Sequence, residues 1–246
     1  MSAPLPLVIA HRGASVAAPE NTIAAFERAL ADGADAIELD VHLSRDDHPV
    51  VIHDGTLERT TNGSGPVRGH TMRELKRLDA GAWRGPAFVG QRLQTLQEVL
   101  ERFRGRTRFW IELKGGSDLY PDIEERIVGL LEVYDVIDGS LVQCSEHATL
   151  DRLRAFSREV SLGALLARSP LDVARDVPPA ANAVCPSAEI LGVGEREAIR
   201  RSGRQCHVWT VNEPALMDRL VDWSVDGIIT DRPNLLRARL QARRPD

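Results

Sequence analysis

The segment at residues 36–54 reads Ala-Ile-Glu-Leu-Asp-Val-His-Leu-Ser-Arg-Asp-Asp-His-Pro-Val-Val-Ile-His-Asp. Its first half alternates apolar side chains with Glu38, Asp40 and His42, which is the two-residue period of a β-strand. A polar turn follows, and a short apolar run then ends at His53, so the pattern is typical of a hairpin. With a loop of about four residues, Asp40 would lie opposite His53 at a distance of about 5 Å. We therefore predict that an acid and an imidazole face each other across this hairpin.

The length of 246 residues is close to the roughly 250 typical of a single (β/α)8 barrel. A hydrophobic fraction of 43% leaves enough apolar material for one core, so we expect a single domain over residues 1–246. The formal net charge of -5 argues against a nucleic-acid partner, because surfaces that bind nucleic acid carry an excess of Lys and Arg. If the protein binds an anion, a few positive side chains at the binding site must hold it, because the protein as a whole is negatively charged.

The sequence predicts a cytoplasmic protein with no stable membrane association. Residues 5–10 are apolar, but no basic segment precedes them and no small-residue cleavage site follows. No apolar run reaches the roughly 18 residues needed to cross a membrane. The three cysteines, Cys144, Cys185 and Cys206, are far apart and odd in number, which indicates buried thiols rather than disulfides or a zinc site. No feature of the sequence indicates an oligomeric state.

Eight buried strands alternate with helices along the chain. The strands are expected to begin at Leu5, Ala36, Phe109, Leu141, Leu162, Ala183, Cys206 and Gly227. Eight such units predict a closed parallel (β/α)8 barrel of the α/β class. An open doubly wound sheet is the alternative, but no glycine-rich phosphate motif follows the first strand. Residues 55–92 lose the periodicity, so they are expected to be an insertion with one short helix at residues 71–78. Asn21 and Thr22 are expected only to cap the first helix.

Polar side chains cluster at the predicted carboxyl ends of the strands, where the active sites of such barrels lie. They are His11 and Arg12 on the first strand, Glu38 and Asp40 on the second, Glu112 and Lys114 on the third, Trp209 on the seventh, and His53, which the hairpin returns to the same rim. Buried carboxylates are costly unless they are paired or bound to a cation. Several carboxylates at one rim therefore predict a cation site.

Glu38, Asp40 and Glu112 form an all-oxygen set, which suits one divalent cation, Mg2+ or Ca2+, better than zinc. The alternative is a buried ion network in which Arg12 and Lys114 neutralise these acids without a metal. Both positive side chains would also suit a clamp for phosphoryl oxygens, because such oxygens carry negative charge that a metal alone does not neutralise. For Lys114 the two interpretations are about equally favoured.

His11 and His53 are predicted to act as a general acid and base, because an imidazole changes charge near neutral pH. His42 shares the face of the acids, but a projecting hairpin would turn it towards the insertion or solvent, so a catalytic role is not expected. Trp209 could line a substrate pocket or pack in the core.

Seven motifs, in order along nearly the whole chain, resemble those of glycerophosphodiester phosphodiesterases. They are His11-Arg12-Gly13, Pro19-Glu20-Asn21-Thr22, Glu38-Leu39-Asp40-Val41, Val51-Ile52-His53-Asp54, Ile111-Glu112-Leu113-Lys114, Val208-Trp209-Thr210-Val211-Asn212 and Gly227-Ile228-Ile229-Thr230-Asp231-Arg232-Pro233. The resemblance implies a TIM barrel with a small insertion after the second strand. It also implies site roles: acid and base for His11 and His53, metal ligands for Glu38, Asp40 and Glu112, phosphate contacts for Arg12 and Lys114, and an alcohol pocket lined by Trp209.

The reaction implied by the resemblance is hydrolysis of an sn-glycerol-3-phosphodiester to an alcohol and glycerol 3-phosphate. In the mechanism generally proposed for that family, the glycerol 2-hydroxyl attacks phosphorus. Water then opens the cyclic phosphate while two histidines exchange protons. Two positions depart from the usual motifs: Gln94 stands where relatives often carry Pro, and Glu146 where they often carry Phe. The second change removes an apolar side chain near the leaving group, which can alter the alcohol preference.

Two other functions fit the pattern less well. A lysophospholipid-cleaving enzyme needs an apolar groove for an acyl chain, and residues 55–92 offer few apolar side chains for one. A barrel that only binds phosphodiesters or a protein partner would be favoured if one of the two histidines or three carboxylates were lost, and none is lost. A small-molecule glycerophosphodiester is therefore the expected partner.

Overall fold

The computed structural model describes residues 4–243, in which ten strands form one sheet surrounded by helices. The strands are β1 Leu7–Ala10, β2 Ala36–Leu43, β3 Pro49–Val51, β4 Gln94–Thr95, β5 Arg108–Leu113, β6 Ser140–Cys144, β7 Ser161–Leu166, β8 Ala183–Pro186, β9 Gln205–Val208 and β10 Gly227–Thr230. The helices are α1 Ile23–Ala31, α2 Met72–Leu75, α3 Leu96–Phe103, α4 Ile123–Val133, α5 His147–Phe156, α6 Val173–Asp176, α7 Val193–Arg201, α8 Pro214–Asp222 and α9 Pro233–Ala242. Short 3-10 turns lie at Val67–Gly69, Ala82–Arg84, Pro86–Phe88 and Ile137–Gly139.

Eight of these strands close a parallel barrel. β1 pairs with β2 on one side and with β10 on the other, and β5 to β10 complete the circle in sequence order. Every crossover between successive barrel strands contains at least one helix. The predicted (β/α)8 barrel is therefore confirmed, with a first strand that begins at Leu7 rather than Leu5. Among residues 4–243, no helix is both long and apolar enough to cross a bilayer.

Alternate residues of the barrel strands pack into two apolar layers. The larger layer lies between strands and helices and includes Val142 and Cys144 of β6. A smaller one fills the barrel interior with Ile9, Ala36, Trp110, Leu141, Leu165, Ala183, Cys185 and Ile229. Side chains two residues further along share the inward face, so Glu112 follows Trp110 and Gln143 follows Leu141 towards the carboxyl-end mouth. The alternation that builds the core thus also aims polar groups into one cavity.

The register of the hairpin differs from the prediction by one residue. Val41 pairs with Val51, and the Ile52 amide donates to the Asp40 carbonyl at 3.1 Å, so Asp40 lies opposite Ile52 rather than His53. Five residues, 44–48, connect β2 to β3, one more than predicted, and Ser44 and His48 bond to each other at the base of this loop. The Ser44 amide donates to the His48 carbonyl at 3.0 Å, and its hydroxyl accepts from the His48 amide at 2.9 Å. The predicted contact of Asp40 with His53 across the ladder is therefore wrong.

The start of α1 also corrects an expectation. The Thr22 hydroxyl accepts from the Ala25 amide at 3.3 Å and caps the helix as predicted. Asn21 does not act as a cap. Its φ of 56° lies in the left-handed region, and its side chain donates to Asp40 at 2.8 Å instead. Asn21, which was predicted only to cap the helix, therefore binds the Asp40 carboxylate at the barrel mouth.

The connection between β3 and β4 has a small apolar core of its own. Val50, Ile52, Leu57, Val67, Met72, Leu75, Ala80 and Leu93 form this cluster. Its helix α2 starts at a capping box of Thr71 and Glu74. The helix ends at Leu75, earlier than the predicted 71–78, and is followed by a turn at Lys76 and Arg77 and a bend at Leu78. The segment is thus packed against the hairpin, immediately after His53.

Candidate active site

Three carboxylates gather at the mouth of the barrel. Glu38 and Asp40 occupy alternate positions of β2, and Asp40 pairs in register with Glu112 of the neighbouring β5. One oxygen from each side chain lies within 4.8 Å of the others. Glu38 and Asp40 are fully buried, and Glu112 is partly exposed to the cavity. The predicted gathering of these acids is therefore what the fold produces.

Asp40 is held by positive and polar groups on several sides. Arg12 Nε lies 3.2 Å from its Oδ2, Lys114 Nζ lies 2.9 Å from its Oδ1, and Asn21 Nδ2 donates at 2.8 Å. Burial alone would raise the pKa of this carboxyl, but the charges of Lys114 and Arg12 outweigh burial and hold it well below its usual value. Asp40 is therefore an anion at the centre of the site.

Glu38 and Glu112 lack comparable neutralisation. Glu38 Oε2 accepts from the Arg12 amide at 2.9 Å, whereas its buried Oε1 has no hydrogen-bond partner among residues 4–243. Glu112 accepts from Lys114 Nζ at 2.5 Å. Burial first, and then the nearby Asp40 charge, raise the pKa of both Glu38 and Glu112. An unpaired buried oxygen beside two other acids fits a hard divalent cation, since such ions take oxygen ligands.

The turn after β1 brings the first histidine to the site. Arg12 has a φ of 54° and Gly13 a φ of 84°, and a Cβ at Gly13 would come within 2.7 Å of Ala25. Only glycine fits at this position, which explains why Gly13 follows His11 and Arg12. His11 Nδ1 lies 2.7 Å from Asp231 Oδ1. Because a carboxylate only accepts, Nδ1 carries a hydrogen and Nε2 is left to exchange a proton.

Asp231 is an anchor for His11 that sequence reasoning missed. It accepts from the Ser15 hydroxyl at 2.8 Å and from Asn212 Nδ2 at 2.5 Å. Burial would raise the pKa of Asp231, but the bond and charge of His11 and the hydrogen bonds from Ser15 and Asn212 together outweigh burial and lower the pKa to about 2. In turn, the pKa of His11 is raised, since the Asp231 bond and the Glu38 charge outweigh the effect of burial. The available signal was an acid directly after the last strand, at the same rim as His11.

His53 has an anchor of the same kind. Its Nδ1 lies 2.6 Å from Asp54 Oδ1, and Arg59 Nε donates to Asp54 Oδ2 at 2.7 Å. Arg59 also donates to Glu20, which accepts from Arg12 at 2.9 Å. The Arg59 bond, followed by the His53 bond, holds the pKa of Asp54 well below its usual value. A continuous chain of ionic contacts, from Arg12 through Glu20, Arg59 and Asp54, therefore links the turn that follows His11 to His53.

His42 is buried rather than turned to solvent, contrary to the expectation for a projecting hairpin. Its Nε2 lies 2.9 Å from the His53 carbonyl and its Nδ1 lies 2.6 Å from the Tyr120 hydroxyl. A carbonyl only accepts, so Nε2 carries the hydrogen and Nδ1 accepts from Tyr120. Burial lowers the pKa of His42, which keeps the ring neutral. His42 thus ties the backbone of His53 to the loop after β5.

A cavity of about 260 Å³ joins most of the predicted residues. It is lined by His11, Arg12, Glu38, His53, Glu112, Lys114, Gln143, Ser145, Leu165, Leu166, Ala167, Trp209, Thr210 and Ile229, while Asp40 lies beneath this surface. Arg12 and Lys114 form ion pairs with the carboxylates, as the alternative interpretation proposed, and they still border the open space. Trp209 Nε1 donates to the Cys185 carbonyl at 2.7 Å, which fixes the indole at the cavity wall.

Comparisons of the sequence and of the fold with known proteins all identify phosphodiesterases as similar. A sequence profile of the Glycerophosphoryl diester phosphodiesterase family matches residues 11–235. A glycerophosphodiester phosphodiesterase of Caldanaerobacter subterraneus subsp. tengcongensis is 39% identical, over 94% of this chain and 96% of the relative. A solved glycerophosphodiester phosphodiesterase from Agrobacterium tumefaciens superposes with a TM-score of 0.83 and 33% identity, over 95% of this chain and 100% of that one. An Oleispira antarctica phosphodiesterase in complex with the product sn-glycerol-3-phosphate gives a TM-score of 0.90 and 28% identity, over 96% and 97%.

Proposed function

The chain belongs to the glycerophosphoryl diester phosphodiesterase family and is a glycerophosphodiester phosphodiesterase, and from this premise we propose how its site works. We propose that it uses a divalent cation to hydrolyse small glycerophosphodiesters to an alcohol and sn-glycerol 3-phosphate. The complex of the related Oleispira antarctica phosphodiesterase with sn-glycerol-3-phosphate supports this product.

The observation that carries the proposal is the unpaired, buried Glu38 Oε1 within a three-carboxylate cluster that borders the same cavity as two histidines. Glu38, Asp40 and Glu112 would hold the cation, which we expect to be Mg2+ or Ca2+. When bound, it would neutralise phosphoryl charge and lower the pKa of a hydroxyl near it. Arg12 and Lys114 add positive charge at the same border, which suits the remaining phosphoryl oxygens.

The two histidines would move the protons of the reaction. As the glycerol 2-hydroxyl attacks phosphorus, one imidazole takes the hydroxyl proton and the other gives a proton to the oxygen of the departing alcohol. In the second step water opens the cyclic phosphate, and the roles of His11 and His53 are exchanged. Asp231 and Asp54 support this use because each binds an Nδ1–H and leaves an Nε2 free. Trp209 would line the part of the cavity that receives the alcohol.

We also propose that this reaction takes place in the cytoplasm, within a single domain over residues 1–246. Cys144, Cys185 and Cys206 are buried free thiols, which suits a reducing compartment. The net charge of -5 speaks against binding to nucleic acid or to an anionic membrane.

The test is release of glycerol 3-phosphate from glycerophosphocholine, glycerophosphoethanolamine and glycerophosphoglycerol. We expect no turnover after chelation and recovery with Mg2+ or Ca2+. His11→Ala and His53→Ala should each lower kcat by at least about 100-fold, the usual contribution of a general acid or base. His48→Ala is the matched control, since His48 is an exposed histidine in the hairpin turn. Turnover that survives chelation, or both site variants at wild-type rate, would contradict the proposal.

A further inference from the structure

Gln143 is a buried polar residue of the cavity to which no role has been assigned. It lies on β6, in register between Glu112 of β5 and Gly163 of β7. Its residue exposure is 2%, and it lines the cavity together with the carboxylates and histidines. Within residues 4–243 its Oε1 has no hydrogen-bond partner. A buried amide oxygen without a partner is rare in native folds, so a partner from outside the chain is indicated.

The neighbouring Gly163 leaves space beside Gln143 that a larger residue would fill. A Cβ at Gly163 would come within 2.8 Å of Leu141 Cδ2 and 2.9 Å of Cys185 Sγ, and within 3.3 Å of Gln143 Cβ. The absence of a side chain at Gly163 therefore leaves room for Gln143 on the inner face of β6. Gln143 follows Leu141 on this face, so its amide lies at the upper surface of the interior apolar layer, where the cavity begins.

The chemistry of the substrate limits what this amide can bind. The phosphoryl and ester oxygens of a glycerophosphodiester only accept hydrogen bonds, so none can satisfy an amide oxygen. A hydroxyl both donates and accepts, so it satisfies the amide whichever way its oxygen and nitrogen are turned. The register with Glu112 places Gln143 beside the carboxylate cluster, which is the end of the cavity that the glycerol must reach.

We propose that Gln143 binds the C1 hydroxyl of the glycerol moiety and thereby selects glycerol-containing phosphodiesters. This inference rests on the proposed function, in which the 2-hydroxyl is the attacking group, so the C1 hydroxyl is the one left to be recognised. Gln143 is then a specificity-determining residue, since its contact orients the glycerol with its 2-hydroxyl towards phosphorus. A competing role is that of a further oxygen ligand for the cation, because amide oxygens also bind Ca2+.

The experiment compares two substrates and three proteins. The substrates are glycerophosphoethanolamine and its analogue that lacks the C1 hydroxyl. The proteins are the wild type, Gln143→Leu and the control Gln97→Leu, which changes an exposed glutamine on α3. We expect the wild type and the control to prefer the natural substrate in kcat/KM by about 100-fold or more, because the deoxy analogue would leave the amide unpaired. Gln143→Leu should lose roughly 10- to 100-fold on the natural substrate and little on the analogue.

Each outcome has one meaning. An unchanged preference in Gln143→Leu would overturn the proposed contact, and so would an equal loss on both substrates. Weaker binding of Mg2+ or Ca2+ by Gln143→Leu in calorimetry without substrate would overturn it in favour of a cation ligand. If the wild type hydrolyses neither these two compounds nor the wider panel in the presence of metal, the proposed function itself fails. Hydrolysis with preserved metal binding and a collapsed preference supports Gln143 as the residue that recognises the hydroxyl.

Discussion

At the scale of single residues, the period-two pattern of β2 and the shared rim of the barrel strand ends were sufficient to predict which acids gather. Glu38 and Asp40 point the same way because strand side chains alternate, and Glu112 joins them from the adjacent strand. Asn21 could not be predicted, because its contact with Asp40 depends on a left-handed backbone that the helix-start pattern does not show. Asp231 was quoted within a motif, yet its bond to His11 joins residues from opposite ends of the chain. Local patterns do not contain such long-range pairs.

Asp231→Asn should impair catalysis through His11. An asparagine can donate to Nδ1, which would move the ring hydrogen to Nε2 and remove the nitrogen that exchanges the proton. We expect kcat to fall by at least about 100-fold with a smaller change in KM. Because the Asp231 bond raises the pKa of His11, its loss should also move the histidine limb of the pH–rate profile to lower pH. Steady-state kinetics between pH 5 and 9 measure both effects.

Ser15→Ala is the matched control for that variant. It removes one hydrogen bond to Asp231 but keeps the carboxylate beside His11. A small loss of activity, below about 10-fold, is expected, since one hydrogen bond contributes about 1 kcal/mol. If Asp231→Asn behaves like Ser15→Ala, then Asp231 does not orient the imidazole.

At the scale of elements, the hairpin shows what pattern alone leaves open. The alternation identified β2, but the loop length depends on hydrogen bonds of Ser44 and on a left-handed Asp47, so the register was one residue off. That shift replaces the predicted Asp40 contact of His53 by a bond from His42 to the His53 carbonyl. His42 is buried because its two ring nitrogens bind the Tyr120 hydroxyl and the His53 carbonyl. The polar face of β2 thus positions His53 through its backbone.

His42→Leu should weaken the hold on His53 without touching its ring. The variant loses the donor to the His53 carbonyl and the acceptor for Tyr120, so we expect kcat/KM to fall about 10-fold and the protein to lose about 1–3 kcal/mol of stability. His42→Gln retains an N–H donor and should recover part of the activity. Binding of the cation, measured by calorimetry, should stay the same in both. Equal activity in His42→Leu and wild type, despite a lower Tm, would show that His42 is only structural.

At the scale of the whole molecule, the strand count was predictable because each barrel strand is a short apolar run followed by a helix signal. The internal packing of the insertion was not, since its apolar residues are spaced irregularly and meet only in three dimensions. The barrel interior holds another feature without a sequence signal. Trp110 of β5 and His207 of β9 meet across the barrel, where Trp110 Nε1 donates to His207 Nδ1 at 3.1 Å.

That buried histidine predicts how stability depends on pH. His207 is 1% exposed, and burial lowers its pKa from 6.5 to about 4. Between these two values the unfolded chain binds a proton that the folded chain excludes. The contribution of His207 to the free energy of unfolding should therefore be fully present above about pH 6.5. It should be lost as the pH drops towards 4, by up to about 3 kcal/mol. His207→Gln keeps an acceptor for the indole but cannot titrate. Urea unfolding at pH 7 and pH 4.5 should show a smaller acid-induced loss in His207→Gln, whereas equal losses in the two proteins would mean that other groups cause it.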